Sequence, residues 1–319
     1  MPLKTLLVHI GLFALTFLTT SFAGVAWLNM DPLELTNLPA GFLYASLLVV
    51  MLLTHEMGHY IAARLHGVDA TLPYFLPFPT HVVPLPVFPF GTLGAVIQLR
   101  SRVPSRRALL DIGAAGPIAG FIVSIVYLYI GFRTLPSIEY LYTIHPLYRG
   151  LPAIPTDGLA FGSSILYEFL QVAVPAQGTF IPPMNEIYHY PFLCVGWFGL
   201  FITAMNLLPV GQLDGGHIIR ALFGDRARII SRVVLGVLAV VGVLGFLPLV
   251  GLPDTYGWSG WLFWAVMLYF VFERKKRRLM AAAPLRDETP PGTVRKVIGW
   301  ICIVILAAGF SVAPFSIGM

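Results

Sequence analysis

The stretch LLVVMLLTHEMGHYIAARL, residues 47–65, is apolar enough for a membrane-spanning helix, yet it carries His55, Glu56 and His59. Residues four apart share one face of a helix, so both imidazoles can reach a single metal ion. Glu56 follows the first histidine and would project beside that ion, where it can accept a proton from water. Such residues are costly in hydrocarbon, about 2.5–3.5 kcal/mol for a central charge, and a divalent cation is the partner they need. The alternative is a pair of buried structural histidines beside an unrelated glutamate.

The composition of the whole chain fits a membrane location. Of the 319 residues, 57% are hydrophobic and 11% are charged, whereas a soluble globular domain carries about 25% charged residues. So few charges cannot cover the surface of a water-soluble protein of this length, and the mean hydropathy of +0.81 agrees. The composition therefore predicts an all-α polytopic membrane protein in a lipid bilayer.

Seven stretches approach the roughly 20 apolar residues that a helix needs to cross the hydrocarbon core. These predicted spans are Thr5–Leu28, Ala40–Leu65, Ile112–Phe132, Pro191–Val210, Val233–Val250, Tyr256–Phe272 and Val297–Pro314. The first also resembles a secretory signal with a cleavage site after Ala23, but its apolar run continues to Leu28 and we expect a retained helix. The stretch Leu72–Phe90 holds six prolines and cannot be a regular helix. It predicts a short β-hairpin or re-entrant segment between the second and third spans.

The basic residues predict the orientation of these spans. With a cytoplasmic N-terminus, the inside segments and span ends hold 18 of the 20 Lys and Arg residues, and the outside segments hold only Arg133 and Arg149. Positive charge is enriched on the cytoplasmic side of membrane proteins. The same asymmetry explains the net charge of +5 without a nucleic-acid partner. We expect a multi-pass protein of a bacterial or archaeal plasma membrane.

A metal site of this kind needs a third ligand, because a catalytic zinc usually has three protein ligands and one open position. Asp214 is the strongest candidate, in the stretch NLLPVGQLDGGH at residues 206–217. The proline and glycines of this stretch should break the fourth span near its cytoplasmic end. Irregular backbone at membrane depth is tolerated only inside protein or beside water, so the break indicates a buried polar site. The alternative ligands are His217, His66 and Asp111.

Two motifs together resemble the site-2 protease family of intramembrane metalloproteases. They are HExxH at residues 55–59 and NxxPxxxxDG at residues 206–215. The glycine-containing stretches 91–97 and 115–120 are also similar to members of that family, and the resemblance is convincing from about residue 46 to 221. The chain resembles a minimal member, because neither a PDZ segment nor a pair of CBS domains is recognisable.

The resemblance implies one Zn²⁺ per chain, held by His55, His59 and Asp214, with Glu56 activating water. It implies hydrolysis of a peptide bond within or next to a transmembrane segment of a single-span membrane protein. It also implies that Asn206 helps to orient the substrate or to polarise its carbonyl group.

A helical substrate hides its carbonyl groups, so its cleavage needs a segment that holds the peptide extended. The segment Gly91–Val103 suits a short strand at the membrane edge, because Thr, Val and Ile favour strands. An extended peptide can add to such an edge; the alternative is an inert loop. The tentative substrate-binding residues are Gly94, Val96, Ile97 and Pro209. Small residues at 113, 116 and 120 indicate close helix packing rather than substrate contact.

We expect one integral-membrane domain over residues 1–319. Its catalytic core would cover about 40–221, with an extracytoplasmic cap at 133–190 and accessory helices at 229–319. The alternatives are a prenyl-protein protease, a metal transporter or an inactive scaffold. The NxxPxxxxDG motif argues against a prenyl-protein protease. Spans five to seven have too few ionisable groups for a transporter, and an inactive scaffold would not need Glu56.

Overall fold

The computed structural model describes residues 2–80, 90–252, 256–274 and 285–318. Its helices and strands are, in chain order, α1 (Leu3–Trp27), α2 (Phe42–Leu65), β1 (Tyr74–Pro77), β2 (Thr92–Val96), α3 (Arg106–Arg133), α4 (Ile138–Ile144), β3 (Gly158–Phe161), α5 (Ile165–Ala173), α6 (Pro191–Leu207), α7 (Asp214–Phe223), α8 (Ala227–Leu244), α9 (Gly260–Leu268), α10 (Thr293–Gly309) and β4 (Phe315–Gly318). The protein is mainly helical, as the composition predicted.

Among the described residues, four helical stretches are long and apolar enough to cross a membrane. They are Leu3–Trp27, Leu35–Leu65, Arg106–Arg133 and Asp214–Val250. Two further apolar helices, Pro191–Leu207 and Gly260–Val271, are shorter. The predicted helical membrane architecture is therefore confirmed in its coarse form, whereas the count of seven spans stays a prediction.

Local chemistry moves several boundaries away from the predicted spans. Helix α3 begins at Arg106 rather than at residue 112, because the Ser105 hydroxyl caps it by accepting a hydrogen bond from the Ala108 amide at 3.1 Å. Helix α6 ends at Leu207 because Pro209 follows and cannot continue the hydrogen-bond ladder. Helix α8 begins at Ala227, so its arginine-rich start belongs to the helix rather than to a loop.

Helix α3 lies at the centre of the bundle and packs against α2, α6, α7 and α10. Its approach to α2 is close: a Cβ atom added at Gly58 would lie 2.5 Å from the carbonyl oxygen of Ala115. Only glycine lets two helices pack at this separation. The polar face of α2 is thereby brought directly against α3.

Strands β1 and β2 form an antiparallel hairpin between α2 and α3. This confirms the hairpin predicted from the proline-rich stretch Leu72–Phe90, of which residues 81–89 lie outside the described residues. Helix α1 supports the hairpin, because His9 Nδ1 donates to the Pro73 carbonyl at 3.0 Å. Whether this first helix is retained stays a prediction.

A second small sheet joins the segment before α6 to the strand after α10. Strands β3 and β4 are antiparallel, with Leu159 opposite Ile317 and Phe161 opposite Phe315. Neither strand was predicted.

Candidate metal centre

Helix α2 places His55 and His59 one turn apart on a buried face. The two residues are 4% and 7% exposed, and their Nε2 atoms are 3.1 Å apart. His59 Nδ1 donates to the Ile112 carbonyl of α3 at 2.7 Å. A carbonyl oxygen only accepts, so this bond fixes the proton on Nδ1 and leaves the Nε2 lone pair free for a metal, the arrangement typical of metal-binding histidines.

The predicted break after α6 places Asp214 at the first residue of α7. The chain turns back sharply here: a Cβ atom added at Gly215 would lie 1.9 Å from the carbonyl oxygen of Leu207, and Gly211 has φ +58°. Glycine is required where backbone segments approach so closely or where φ is positive. The break therefore lets a carboxylate from a distant part of the sequence face α2.

The three candidate ligands meet in one cluster. Asp214 Oδ2 lies 3.5 Å from His55 Nε2 and 3.3 Å from His59 Nε2. Two atoms that each lie about 2.0–2.1 Å from a tetrahedral ion are about 3.3 Å apart, so these separations suit a common zinc ion. Two neutral imidazoles and one carboxylate are also a donor set that zinc accepts in catalytic sites. The residues present therefore fit the metal.

Glu56 lies beside this cluster with its carboxylate against the hairpin. The residue is 8% exposed, and its Oε2 accepts a hydrogen bond from the Ile97 amide at 3.0 Å. Ile97 directly follows β2, so the end of the strand and the glutamate share one wall of the site. A buried carboxylate held by a single main-chain donor keeps its second oxygen for another partner.

Asn206 reaches the cluster from the last turn of α6. Its Nδ2 lies 3.3 Å from His55 Nε2, so the amide group borders the position that a metal would take. An amide N–H at this place can donate to an oxygen atom bound near the metal.

An open cavity of about 470 Å³ joins these groups to the hairpin. Its lining residues are His55, Glu56, His59, Ala95, Val96, Ile97, Leu99, Val103, Leu109, Ile112, Gly113, Asn206, Gln212, Leu213, Asp214 and His217. A neighbouring cavity of about 150 Å³ is lined by Gly94 and also by Asn206. Four of the predicted substrate-binding or orienting residues thus border these two cavities: Gly94, Val96, Ile97 and Asn206. Pro209 lines neither of them among the residues described; its carbonyl accepts from the Ser231 hydroxyl at 2.8 Å.

Comparison with known families agrees with this geometry. The model of peptidase family M50 matches residues 43–249, which include both motifs. The chain belongs to peptidase family M50. It is similar to the probable zinc metalloprotease EGY2, chloroplastic, of Oryza sativa subsp. indica, with 31% identity over 216 residues, 66% of this chain and 34% of that protein. It is also similar to the probable zinc metalloprotease EGY1, chloroplastic, of Arabidopsis thaliana, with 32% identity over 179 residues, 56% of this chain and 29% of that protein. The chain thus spans about a third of the length of these relatives.

M50 membership confirms the site-2 protease resemblance seen in the motifs. The two relatives named here are chloroplast proteins of plants, and they give no support to the expected bacterial or archaeal membrane. The integral-membrane character itself agrees with the helices described above.

None of the alternative ligands joins the cluster of His55, His59 and Asp214. His66 and Asp111 pair with each other at 2.8 Å, and Asp111 also accepts from Arg295 Nε at 2.9 and 3.0 Å. These three residues form a partly exposed charge cluster at the ends of α2, α3 and α10. His217 lines the large cavity but is not among the His, Cys, Asp and Glu residues that cluster within 4.8 Å in the described part of the chain.

The glycines of α3 make room for the histidine rings of the candidate metal centre. A Cβ atom added at Gly116 would lie 2.1 Å from His59 Nε2, and one added at Gly120 would lie 3.0 Å from His55 Nδ1. The small-residue spacing predicted close helix packing, but it did not indicate that the packed partners are the candidate ligands. The Ile97 amide was also missed, because a main-chain donor leaves no trace in residue type.

Proposed function

We propose that this chain is a zinc-dependent intramembrane endopeptidase that cuts transmembrane or membrane-adjacent segments of single-span membrane proteins. The observation that carries the proposal is the buried His55, His59 and Asp214 cluster with Glu56 beside it. Membership of peptidase family M50 supports the reaction class.

His55, His59 and Asp214 would hold one Zn²⁺ per chain. When bound, the ion would supply Lewis acidity, which polarises a carbonyl group and makes a bound water acidic near neutral pH. The His59–Ile112 hydrogen bond orients one ligand. The packing of Gly116 and Gly120 against the rings holds both histidines in place.

Glu56 would be the general base. Its carboxylate takes a proton from the attacking water and passes it to the leaving amide nitrogen. The hydrogen bond from the Ile97 amide fixes one oxygen of Glu56, so the other faces the cavity with a defined orientation. A positioned base of this kind contributes about 10²–10⁴ to the rate.

Asn206 would donate to the carbonyl oxygen of the scissile bond. Its position beside His55 Nε2 supports this role, because negative charge would develop near the metal during attack. A preorganised donor at such a point stabilises the transition state more than the ground state.

The free edge of β2 would hold the substrate in an extended conformation. β2 pairs with β1 along one edge in the described residues, and beyond it the Gln98 amide and carbonyl bond to Thr71 on that same side. Backbone groups alternate in direction along a strand, so the Ile97 amide, which donates to Glu56, faces the opposite edge and the site. A substrate strand added there would pass directly over Glu56.

We also propose a single domain, with a catalytic core at about 40–221, a cap at 133–190 and accessory helices at 229–319. Packing of α10 on α3 and α6 supports one continuous unit. The bilayer is the expected environment. A cytoplasmic N-terminus remains a prediction from the arginine and lysine distribution.

Glu56→Gln tests the proposed chemistry. The purified wild-type chain should cleave at least one of a panel of single-span membrane proteins, and the variant should lose at least about a hundredfold in rate while keeping its zinc. Glutamine has nearly the same shape but cannot accept the proton. Equal cleavage by the two chains would exclude Glu56 as the base.

Ile97→Pro tests the proposed strand edge. Proline removes the amide that holds Glu56 and blocks pairing with an added strand, so cleavage should be lost while zinc content stays at the wild-type level. Ile97→Val is the matched control, because it keeps the amide and a β-branched side chain. Full activity of the proline variant would overturn the proposed role of β2.

A further inference from the structure

A second group of potential ligands lies in the cap, remote from the catalytic cluster. It comprises His145, directly after α4, and Glu186 and His189, just before α6. His189 lies before the first residue of α6 and Asn206 lies in its last turn. At 1.5 Å per residue, the two clusters are therefore roughly 22 Å apart. No role in the proposed proteolysis involves these three residues.

The Glu186 carboxylate is buried with one oxygen unsatisfied. The residue is 1% exposed. Its Oε1 accepts from the Tyr148 hydroxyl at 3.0 Å and from Asn185 Nδ2 at 3.4 Å. Oε2 accepts no hydrogen bond from any residue that the structure describes, and a buried acceptor without a partner is destabilising unless a ligand meets it.

The two histidines turn their ring nitrogens toward this unsatisfied oxygen. His189, which is 1% exposed, donates from Nδ1 to the Trp27 carbonyl at the end of α1. In a neutral ring the Nε2 atom then carries a lone pair. That atom lies 3.1 Å from Glu186 Oε2 and 2.9 Å from His145 Nε2, and His145 Nε2 lies 3.5 Å from the same carboxylate oxygen. With the proton of His145 also on its Nδ1, three atoms that carry lone pairs face one point.

We propose that His145, Glu186 and His189 bind a second divalent transition-metal ion, of which Zn²⁺ is the best match. Their separations of 2.9, 3.1 and 3.5 Å bracket the roughly 3.3 Å expected between ligands of one tetrahedral zinc ion. Two imidazoles and a carboxylate also favour zinc over magnesium or calcium, which prefer oxygen ligands. The hydrogen bonds from His189 to Trp27 and from Tyr148 to Glu186 are the supporting contacts that metal ligands usually have.

This ion would fasten the cap to the helix bundle. His145 belongs to the segment after α4, His189 to the segment before α6, and the Trp27 carbonyl to the end of α1. The coordinated metal would link the segment after α4 to the segment before α6. The hydrogen bond from His189 to the Trp27 carbonyl would attach both segments to the end of α1. A metal that binds the folded state alone adds stability by mass action, so the cap should be less stable when the ion is removed.

Metal stoichiometry tests the second site independently of proteolysis. The full chain is purified, stripped with a chelator, reloaded with Zn²⁺ and desalted before zinc and protein are measured. We expect two zinc ions per chain in the wild type and one in His145→Ala, whose side chain is partly exposed. His66→Ala is the matched control, since its histidine lies outside both clusters, and it should keep two. The proposal is overturned if the wild type holds one zinc ion that is lost in His59→Ala but kept in His145→Ala. The cap cluster would then be a protonated histidine–carboxylate pair without a metal.

A second measurement leaves the cap unchanged and so does not depend on folding of a cap variant. A chain with His55→Ala and His59→Ala is loaded with Co²⁺, whose visible absorption reports its ligands. One Co²⁺ per chain with the bands of a nitrogen- and oxygen-ligated site supports the proposal. Absence of bound Co²⁺ from this folded chain overturns it, whatever the protease assay gives.

Discussion

Replacing Gly116 by alanine places one methyl group against a candidate metal ligand. The added Cβ atom would lie 2.1 Å from His59 Nε2, 2.4 Å from Cδ2 and 2.5 Å from Cε1. Nonbonded heavy atoms need about 3.5 Å, so the imidazole ring or helix α3 must move by more than about 1 Å. The atom displaced is the one that faces the metal.

The expected effect on zinc binding follows from this displacement. Metal–ligand distances tolerate a change of about 0.2 Å, so a ring moved by about 1 Å no longer ligates in its original geometry. Inserting a methyl group into a packed interior costs about 1–3 kcal/mol. Because about 1.4 kcal/mol corresponds to a tenfold change in affinity, zinc should bind roughly 5–150-fold more weakly.

Two other glycines provide graded controls for the same substitution. A Cβ atom at Gly120 would lie 3.0 Å from His55 Nδ1, so the ring must shift by only a few tenths of an ångström. A Cβ atom at Gly236 in α8 has no heavy atom within 4 Å among the described residues, and alanine there tests helix propensity alone. The loss of zinc affinity should therefore be greatest for Gly116→Ala, intermediate for Gly120→Ala and absent for Gly236→Ala.

Competition with chelators of graded strength measures this order, with bound zinc determined for each purified chain. Cleavage of a single-span substrate should fall in the same order at limiting zinc and recover partly at high zinc. If Gly116→Ala binds zinc as tightly as Gly236→Ala and keeps full activity, the close packing of α3 on the ligand ring does not set the metal geometry.

Three further substitutions test other parts of the molecule. Asp214→Ala should lose both the catalytic zinc and cleavage, because two histidines alone leave the ion without its carboxylate; unchanged zinc content would exclude Asp214 as a ligand. Phe161→Ala should destabilise the protein by about 3–5 kcal/mol, since Phe161 is 2% exposed and its ring packs against those of Trp197 and Phe198. Phe169→Ala, at a 65% exposed position, should change the thermal unfolding temperature little; equal shifts would contradict this aromatic packing of β3. Arg295→Gln removes the guanidinium beside Asp111, but the pair is partly exposed, so unfolding should change by less than about 1 kcal/mol; a larger loss would show that this contact anchors α10.

Helical spacing predicted the α2 half of the site because it depends only on local geometry. His55 and His59 are four residues apart, and any regular helix places them on one face. Asp214 lies on a different helix, and no periodicity brings it to α2. It was found because few carboxylates occur in apolar surroundings, and because proline and glycines beside it indicated a break. The prediction of Asp214 therefore depended on how few carboxylates the apolar segments contain, and not on helix geometry.

Boundaries and small sheets were less predictable for physical reasons. The predicted fifth span began at Val233 and left Arg228 and Arg232 outside it, whereas α8 begins at Ala227. Long basic side chains can extend to the membrane surface from within a helix. Strands β3 and β4 have four residues each and are about 150 positions apart in the chain. Their pairing depends on where α6 to α10 place the C-terminal segment, and short apolar runs alone do not contain that information.

Residues 113, 116 and 120 connect the sequence pattern to the metal centre most directly. The pattern of small residues predicted that α3 packs closely against a neighbouring helix, and Gly58 against Ala115 is such a contact. The helix that approaches is the one that carries the candidate ligands, so the distance between α2 and α3 also sets the position of the imidazole rings. The same approach places the Ile112 carbonyl within 2.7 Å of His59 Nδ1, which fixes the tautomer that zinc requires. The close packing of α3 on α2 and the positions of the candidate ligands therefore depend on the same small residues. A larger residue at position 116 would disturb both.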